Sequence, residues 1–547
     1  MRPVVFCLIV AAALAVRPAP AHAWLANGTP MCIAAADQSE MVAESDGLGG
    51  AYLAWTDPRS GIYQVYALHV DANGNPVTGW PFNGLGINAT QQNQTQPRIA
   101  VTSAGALMLC WHEGGHVQVA ALSSGGAALA AQQLPFVFQG ANAEQTTRCA
   151  ADDTAWIAWT QHGAGSGVDL WRPGWPAILH QFPSGVDTGK PVLVPDAADG
   201  MWMACQSVDT QGDAIVLAHV QASGAMATGF PAEGESLCTA NGAQEALVGI
   251  ADGAGGAYFA WQDRRNGNPD IYATRVLANG AIATGWSANG TPVCTAANSQ
   301  SDVHIARDAG AGLWLAWDDQ RAGVGSDDIY AMALSSDGQR RAGFPANGVA
   351  VATGALTQIM PAIAPHPDGT VTVAWAQLTG STRSFDIYAA RLSQHGSVSP
   401  GVNGSGVSTF ANDQLQPLVV PGPGTDALVF WTDQRDLQSD LYGTRIAVAM
   451  PAGVDDAAQG ARFAITRVWP QPSVSGRVMV RLALPDARSA QLALYDVAGR
   501  RVGATLTVSG AGAHDVTLDA GTAAAGLYFA RVTHAGQTRE ARVAITH

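Results

Sequence analysis

Charge is scarce in this sequence. Asp, Glu, Lys and Arg make up 13% of the 547 residues, about half the quarter usual for soluble domains. Lysine is nearly missing: Lys190 is the single copy, so positive charge is carried by arginine. With a formal net charge of −15 and no Lys/Arg cluster, the chain lacks the electrostatic footprint of a nucleic-acid binder. It also lacks the Glu-, Lys- and Leu-rich composition of a coiled coil or helical bundle. Apart from its N-terminus, it has no uncharged apolar run of the roughly 18 residues that a membrane-spanning helix needs. Phosphate-binding P-loops, G-x-S-x-G elbows and EF-hand loops are absent too.

What is present points to strands. The chain has 62 Gly and 29 Pro, its 16 Trp outnumber both Tyr (10) and Phe (13), and 47% of it is apolar. That composition supports a large core built from many short strands joined by glycine turns. At the N-terminus, Met1-Arg2-Pro3, an apolar run from Val4 to Val16 and the closing Ala21-His22-Ala23 have the layout of a secretory signal peptide. Residues 1–23 are therefore expected to be a leader cleaved before Trp24, followed by an exported chain.

An internal repeat organises most of the remainder. Gly49-Gly-Ala-Tyr-Leu-Ala-Trp-Thr-Asp57 is echoed by Gly255-Gly-Ala-Tyr-Phe-Ala-Trp-Gln-Asp263, by Leu313-Trp-Leu-Ala-Trp-Asp-Asp319 and by Asp426-Ala-Leu-Val-Phe-Trp-Thr-Asp433. The anchor position falls at residues 55, 111, 159, 205, 261, 317, 375 and 431, spaced by 46 to 58, with Cys205 replacing Trp once. In the best-preserved units the anchor is followed by an Asp-x-Arg turn such as Asp319-Gln-Arg321, a strand such as Asp328-Ile-Tyr-Ala, a Gly-Trp/Phe-x-x-Asn-Gly segment and a Gln-x-x-Pro-x-Ile segment, whereas units two to four are degenerate. Four short strands at a period near 50 predict the blades of a β-propeller. The last unit stops at Ile446 without its outer strand, whereas Trp24-Leu-Ala-Asn-Gly28-Thr-Pro-Met-Cys32 resembles Trp286-Ser-Ala-Asn-Gly290-Thr-Pro-Val-Cys294. The expected fold class is therefore all-β. It comprises a closed eight-bladed β-propeller over 24–449, with the N-terminal strand completing the last blade, followed by a small Ig-like β-sandwich. Closure would remove the exposed sheet edges of an open array.

The repeated residues read as structure. A Trp at the same point of nearly every unit fills space between blades, and recurrent Asp and Arg stabilise turns. Of the seven cysteines, Cys7 lies in the leader. Cys32, Cys238 and Cys294 share a blade position, Cys205 replaces an anchor and Cys110 precedes one, so they read as small buried hydrophobes; one disulfide involving Cys149 stays open. His112-Glu113-Gly114-Gly115-His116 matches the H-E-x-x-H zincin pattern, but that chemistry needs a helix, and the repeat places His112 and Glu113 at a strand end. Asp318-Asp319 and Asp327-Asp328 read as a solvated turn, with a weak Ca²⁺ site as the lesser reading. The loop Leu170-Trp171-Arg172-Pro173-Gly174-Trp175, with His162 and His180 nearby, is the one single-copy aromatic and basic cluster. It reads as repeat decay before a binding face. No residue is assigned a catalytic, cofactor-binding or metal-ligating role, and no cofactor is expected.

After a linker over 450–462, residues 463–547 begin a second module. It holds nine Arg and five acidic residues, hence +4, against 17 Lys+Arg and 38 Asp+Glu, hence −21, over 24–462. Pro470-Gln-Pro472, Leu494-Tyr-Asp-Val-Ala-Gly-Arg-Arg-Val502 and Ala524-Ala-Gly-Leu-Tyr-Phe-Ala-Arg-Val532 resemble the C-terminal sorting domain of type IX secretion cargo and the related Ig-like domain of flagellar hook-cap proteins. The usual opening is Pro-Asn-Pro, from which Gln471 departs. The resemblance implies a Gram-negative-type envelope, a secreted or cell-surface protein, and outer-membrane secretion or attachment machinery as a partner.

The expected function is a noncatalytic, exported propeller for adhesion or for binding a glycan or protein ligand. The alternative is a secreted hydrolase of glycosidase type with carboxylates at the propeller channel, and a third reading is a purely structural envelope component. Carboxylates of unusual pKa paired in one place would favour the enzyme.

Overall fold

The computed structural model describes residues 24–546 apart from 89, 134–144, 151–152, 162–166, 176–178, 182–186, 210–211, 380–383, 448–462, 470–472, 474–475, 485–487, 511 and 522. The expected leader, linker and Pro-x-Pro opening, with His162, lie outside the described residues. Among those described there is no helix, and the protein is all-β.

From Thr29 to Ile446 the strands form successive antiparallel sheets of four or five strands, numbered here 1 to 8 in chain order. Their first strands are Ser39–Ser45, Gln94–Val101, Gln145–Cys149, Val192–Pro195 (sheet 4, which also has the short Asp187–Thr188), Gln244–Ala251, Gln300–Arg307, Gln358–Pro365 and Gln414–Pro421. Each first strand touches the first strand of the next sheet, and that of sheet 8 touches that of sheet 1. The arrangement is propeller-like. Sheet 8 is completed from the other end of the chain, Thr29–Cys32 pairing with Asp440–Ile446 through Thr29↔Gly443.

The second strands carry the core. In Ala51–Asp57, Leu313–Asp319 and Ala427–Asp433 every residue is buried, with no alternation, because both faces of these strands are covered. The anchors Trp55, Trp261, Trp317, Trp375 and Trp431 are fully buried.

Four of the anchors, Trp55, Trp261, Trp317 and Trp431, organise a latch to the preceding sheet. In sheet 6, Trp317 Nε1 donates to Asp319 Oδ2 at 2.8 Å, and Arg321 donates its backbone N–H (2.9 Å) and guanidinium (2.5 and 2.8 Å) to the same carboxylate. Arg321 also donates to Asn347 O at 2.7 Å and stacks 3.6 Å over the Tyr330 ring. Asn347, at φ +65°, accepts the Thr295 N–H of sheet 5 at 3.0 Å. The following Gly348 has φ +85°, and a Cβ there would lie 2.5 Å from Trp317 Cη2. The Asn-Gly pair thus reconciles a left-handed turn with an indole beneath it. Sheets 1, 5 and 8 repeat the device through Asp57/Arg59, Asp263/Arg265 and Asp433/Arg435. None of the six cysteines from Cys32 onward forms a disulfide.

After the linker, one sheet contains Ala464–Trp469, Arg477–Leu484 and Gly512–Asp519. The other contains Arg501–Val508, Ala490–Asp496, Gly526–His534 and Gln537–Ile545. They share a core that includes Val478, Val480, Leu482, Leu492, Leu494, Val532 and Val543, the alternate residues expected of strands with one covered face.

Candidate functional site in the inner ring

Six first strands carry the same irregularity. In sheets 1, 2, 5, 6, 7 and 8 the pairing with the second strand skips two residues, and the skipped segment contains a residue with φ between 50 and 60°: Glu40, Gln96, Ala246, Asp302, Met360 or Gln416. Such bulges bend a strand and re-aim a side chain. Beside each bulge stands the residue after the anchor Trp, respectively Thr56, His112, Gln262, Asp318, Ala376 and Thr432.

In sheet 1 this juxtaposition is a simple bond: Thr56 Oγ1 donates to Glu40 Oε2 at 2.7 Å, and the Gln96 N–H of sheet 2 donates to the same oxygen at 2.6 Å. In sheet 8, Thr432 Oγ1 donates to Gln416 Oε1 at 3.3 Å. Of the six, sheet 6 alone places an acid at both positions, Asp302 and Asp318. Asp318 is only 8% exposed, and its Oδ1 has no hydrogen-bond partner. Burial, and then the charge of Asp302, push the Asp318 carboxyl well above the usual carboxylate range, while a bond from the Met360 N–H of sheet 7 opposes the shift. The Asp302 side chain is about half open to solvent, at 46%, and its Oδ1 lies 3.6 Å from His304 Nε2. The cluster combines one acid whose carboxyl is pushed up by its surroundings with a second, accessible carboxyl group and an imidazole.

The sequence-level candidates resolve differently. His112–Glu113 and His116 form the two sides of a β-hairpin in which Glu113 pairs with His116. Buried Glu113 accepts Trp111 Nε1 at 2.9 Å and Gln94 Nε2 at 3.0 Å, so it fills the slot of the latch aspartates rather than serving as a metalloprotease base. The expected solvated turn is corrected: Asp318, Asp319 and Asp328 are all buried, because Asp319 belongs to the latch and Asp328 sits under the next loop, accepting the Gly354 N–H at 3.1 Å. The loop taken as single-copy is corrected as well. Trp175 Nε1 donates to Ala222 O of the next sheet at 2.8 Å, as Trp80 does to Ser124 O (2.8 Å) and Trp286 to Ser336 O (3.0 Å). Trp175 packs edge-on to Trp156, over which Arg172 stacks, so this cluster is packing between sheets 3 and 4.

Sequence reasoning missed Asp302 and read Asp318 only as part of a solvated turn. The signal was available in part: comparing the residue after the anchor across units isolates Asp318 as the one acid among Thr, His, Gln and Ala. A pocket of about 310 Å³ on sheet 1, lined by Gln64, Tyr66, Gly86 and Asn88 among others, contains no acidic or histidine side chain.

The class these features define is an all-β, propeller-like protein with a carboxylate pair in its inner ring. No protein-family model matches the chain, and no curated protein is similar to it. Solved structures similar to it include a thermostable family-43 glycoside hydrolase (12% identity, 50% of this chain and 93% of that one, TM-score 0.28). An α-L-arabinofuranosidase from Fusarium graminearum is also similar (10%, 64% and 92%, 0.31), as is a prolyl endopeptidase (13%, 73% and 54%, 0.41). Likenesses this distant assign no activity.

Proposed function

We propose that the eight sheets are blades of one closed propeller, that residues 463–547 form an Ig-like sorting or attachment module of an exported protein, and that the propeller is a hydrolase of glycosidic bonds. One observation carries the catalytic reading: buried Asp318, with an unpartnered Oδ1, stands beside accessible Asp302 in the one bulge where both positions are acids. A buried carboxyl group pushed toward its acid form, with a second, accessible carboxyl group beside it, is the pair that glycoside cleavage requires. In this assignment Asp318 gives its proton to the departing glycosidic oxygen as the bond to the anomeric carbon breaks. Asp302 takes a proton from the water that adds there.

The test is hydrolysis of a panel of aryl glycosides and polysaccharides by the purified protein. Asp318→Asn and Asp302→Asn should each lower kcat by about 100-fold or more with little change in melting temperature. Because Asp318 acts as an acid, activity should fall as pH rises through its elevated pKa. Absence of turnover across the panel would overturn the assignment.

A second reading, noncatalytic glycan or protein binding, is favoured by the recurrence of the bulge pair in other blades, where Glu40–Thr56 and Gln416–Thr432 only hold strands together. Ligand capture on a glycan array without turnover, unchanged in Asp318→Asn, would select it.

A further inference from the structure

The inner ring is charged on more than one wall. Arg98 of sheet 2 and Arg148 of sheet 3 lie on first strands that touch each other. Arg98 is half-buried and Arg148 exposed. Each spends one guanidinium N–H on the carbonyl of the residue before it, Arg98 to Pro97 O at 2.8 Å and Arg148 to Thr147 O at 3.0 Å. The latch arginines differ: Arg265, Arg321 and Arg435 each meet a buried aspartate within 2.6 Å. The two ring arginines also act together on one buried group behind them, both lowering the Cys110 thiol that burial pushes up to about 12. The two arginines therefore stand on touching strands of neighbouring sheets, two register positions apart.

Register places them relative to the rest of the ring. Arg148 pairs with Trp156, three residues before its anchor, and Glu44 pairs with Tyr52, three before Trp55, so the two share a level on sheets 3 and 1. Between them at that level, on sheet 2, stands the small Ala100. Glu44 is open to solvent, yet its carboxyl is raised by the walls around it, with Arg148 acting the other way. Arg98 pairs with Cys110 and His304 with Ala316, each one residue before an anchor. Sheets 2 and 6 are four steps apart whichever way the cycle of contacts is followed, so Arg98 and His304 occupy opposite walls at one level.

We propose that Arg98 and Arg148 form an anion-binding subsite in the propeller channel, which holds the carboxylate or sulfate group of an acidic glycan. The ligand class rests on the glycosidase reading above; the anion site rests on the arginines alone. Two guanidinium groups with donors to spare match the paired oxygens of a carboxylate or sulfate, which they would hold through charge-assisted hydrogen bonds. A ligand held there faces the Asp302/Asp318 wall, leaving one side of the channel for grip and the other for chemistry.

The test is calorimetric titration of the purified protein with oligogalacturonate, with a sulfated oligosaccharide of similar length, with a neutral maltooligosaccharide and with polyglutamate. One or both acidic glycans should bind, and which one does identifies the anion. The neutral glycan should not bind, and affinity should fall as salt rises. Arg98→Gln and Arg148→Gln should each weaken binding about tenfold or more, as for loss of a charge-assisted bond. Glu44→Gln, which removes the competing carboxylate without touching either arginine, should tighten it and guards against misfolding of the arginine variants. Asp318→Asn should bind as the parent does, so intact binding without hydrolysis rejects only the catalytic reading. Binding of the neutral glycan or polyglutamate equal to the acidic glycans, or unchanged affinity in well-folded arginine variants, would overturn the proposal.

Discussion

His366 shows how far surroundings override residue type. It is 3% exposed, its Nε2 lies 2.7 Å from Thr372 Oγ1, and its Nδ1 has no hydrogen-bond partner among the described residues. Burial first, then the Arg391 charge, bring its pKa down to about 4, while Asp368 and Asp426 act in the opposite direction. His219 has a different fate. It stacks 3.9 Å from the Trp202 ring and bonds Asp196 at 2.6 Å, a bond that holds the aspartate's pKa down although burial favours the neutral acid. For His366 the folded pKa lies below the unfolded value, so its contribution is fully present above about pH 6.5 and is lost as pH falls toward 4. About 2 kcal/mol should be gone by pH 5. Denaturant melts at pH 7 and pH 5 should show this loss in the parent and a smaller one in His366→Gln; equal losses would refute it.

At the scale of the element, the latch couples strand to strand and sheet to sheet. Asp319 is fully buried and gathers the Trp317 indole, the Arg321 backbone and the Arg321 guanidinium. Asp319→Asn keeps the shape but strands a partly buried guanidinium, so it should cost about 3 kcal/mol, read as a lower thermal midpoint. The double change Asp319→Asn with Arg321→Leu should recover part of that loss, since no lone charge remains. Sheet 7 already lives without the ion pair, Trp375 Nε1 donating instead to Gln377 Oε1 at 3.2 Å. Trp, Asp, Arg and Asn-Gly were all visible as recurring letters. Their joint purpose was not, because Asn347 reaches Thr295 in a different sheet and Gly348 is required by an indole 31 positions earlier in the chain.

The whole molecule contains separate cores. Among the described residues, the core running from Phe463 to Ile545 is separate from those of the sheets that end at Ile446, and the charge contrast of −21 against +4 follows the same division. Removing residues 463–547 should therefore leave the melting temperature of the propeller within a few degrees of the parent value. In a Gram-negative host, the truncated protein should collect in the periplasm; full secretion of it would refute the sorting role proposed for that module. Residue order by itself determined the strand-and-turn alternation, the period near 50 and the likeness of Trp24–Cys32 to a missing outer strand, because these depend on local conformational preference and on repetition. Tertiary structure alone decided which side chains meet in the inner ring. A bulge in each of six first strands shifts register, setting Asp302 beside Asp318 within one sheet. Contact between successive first strands sets the strand of Arg98 against that of Arg148 and puts four sheets' steps between Arg98 and His304.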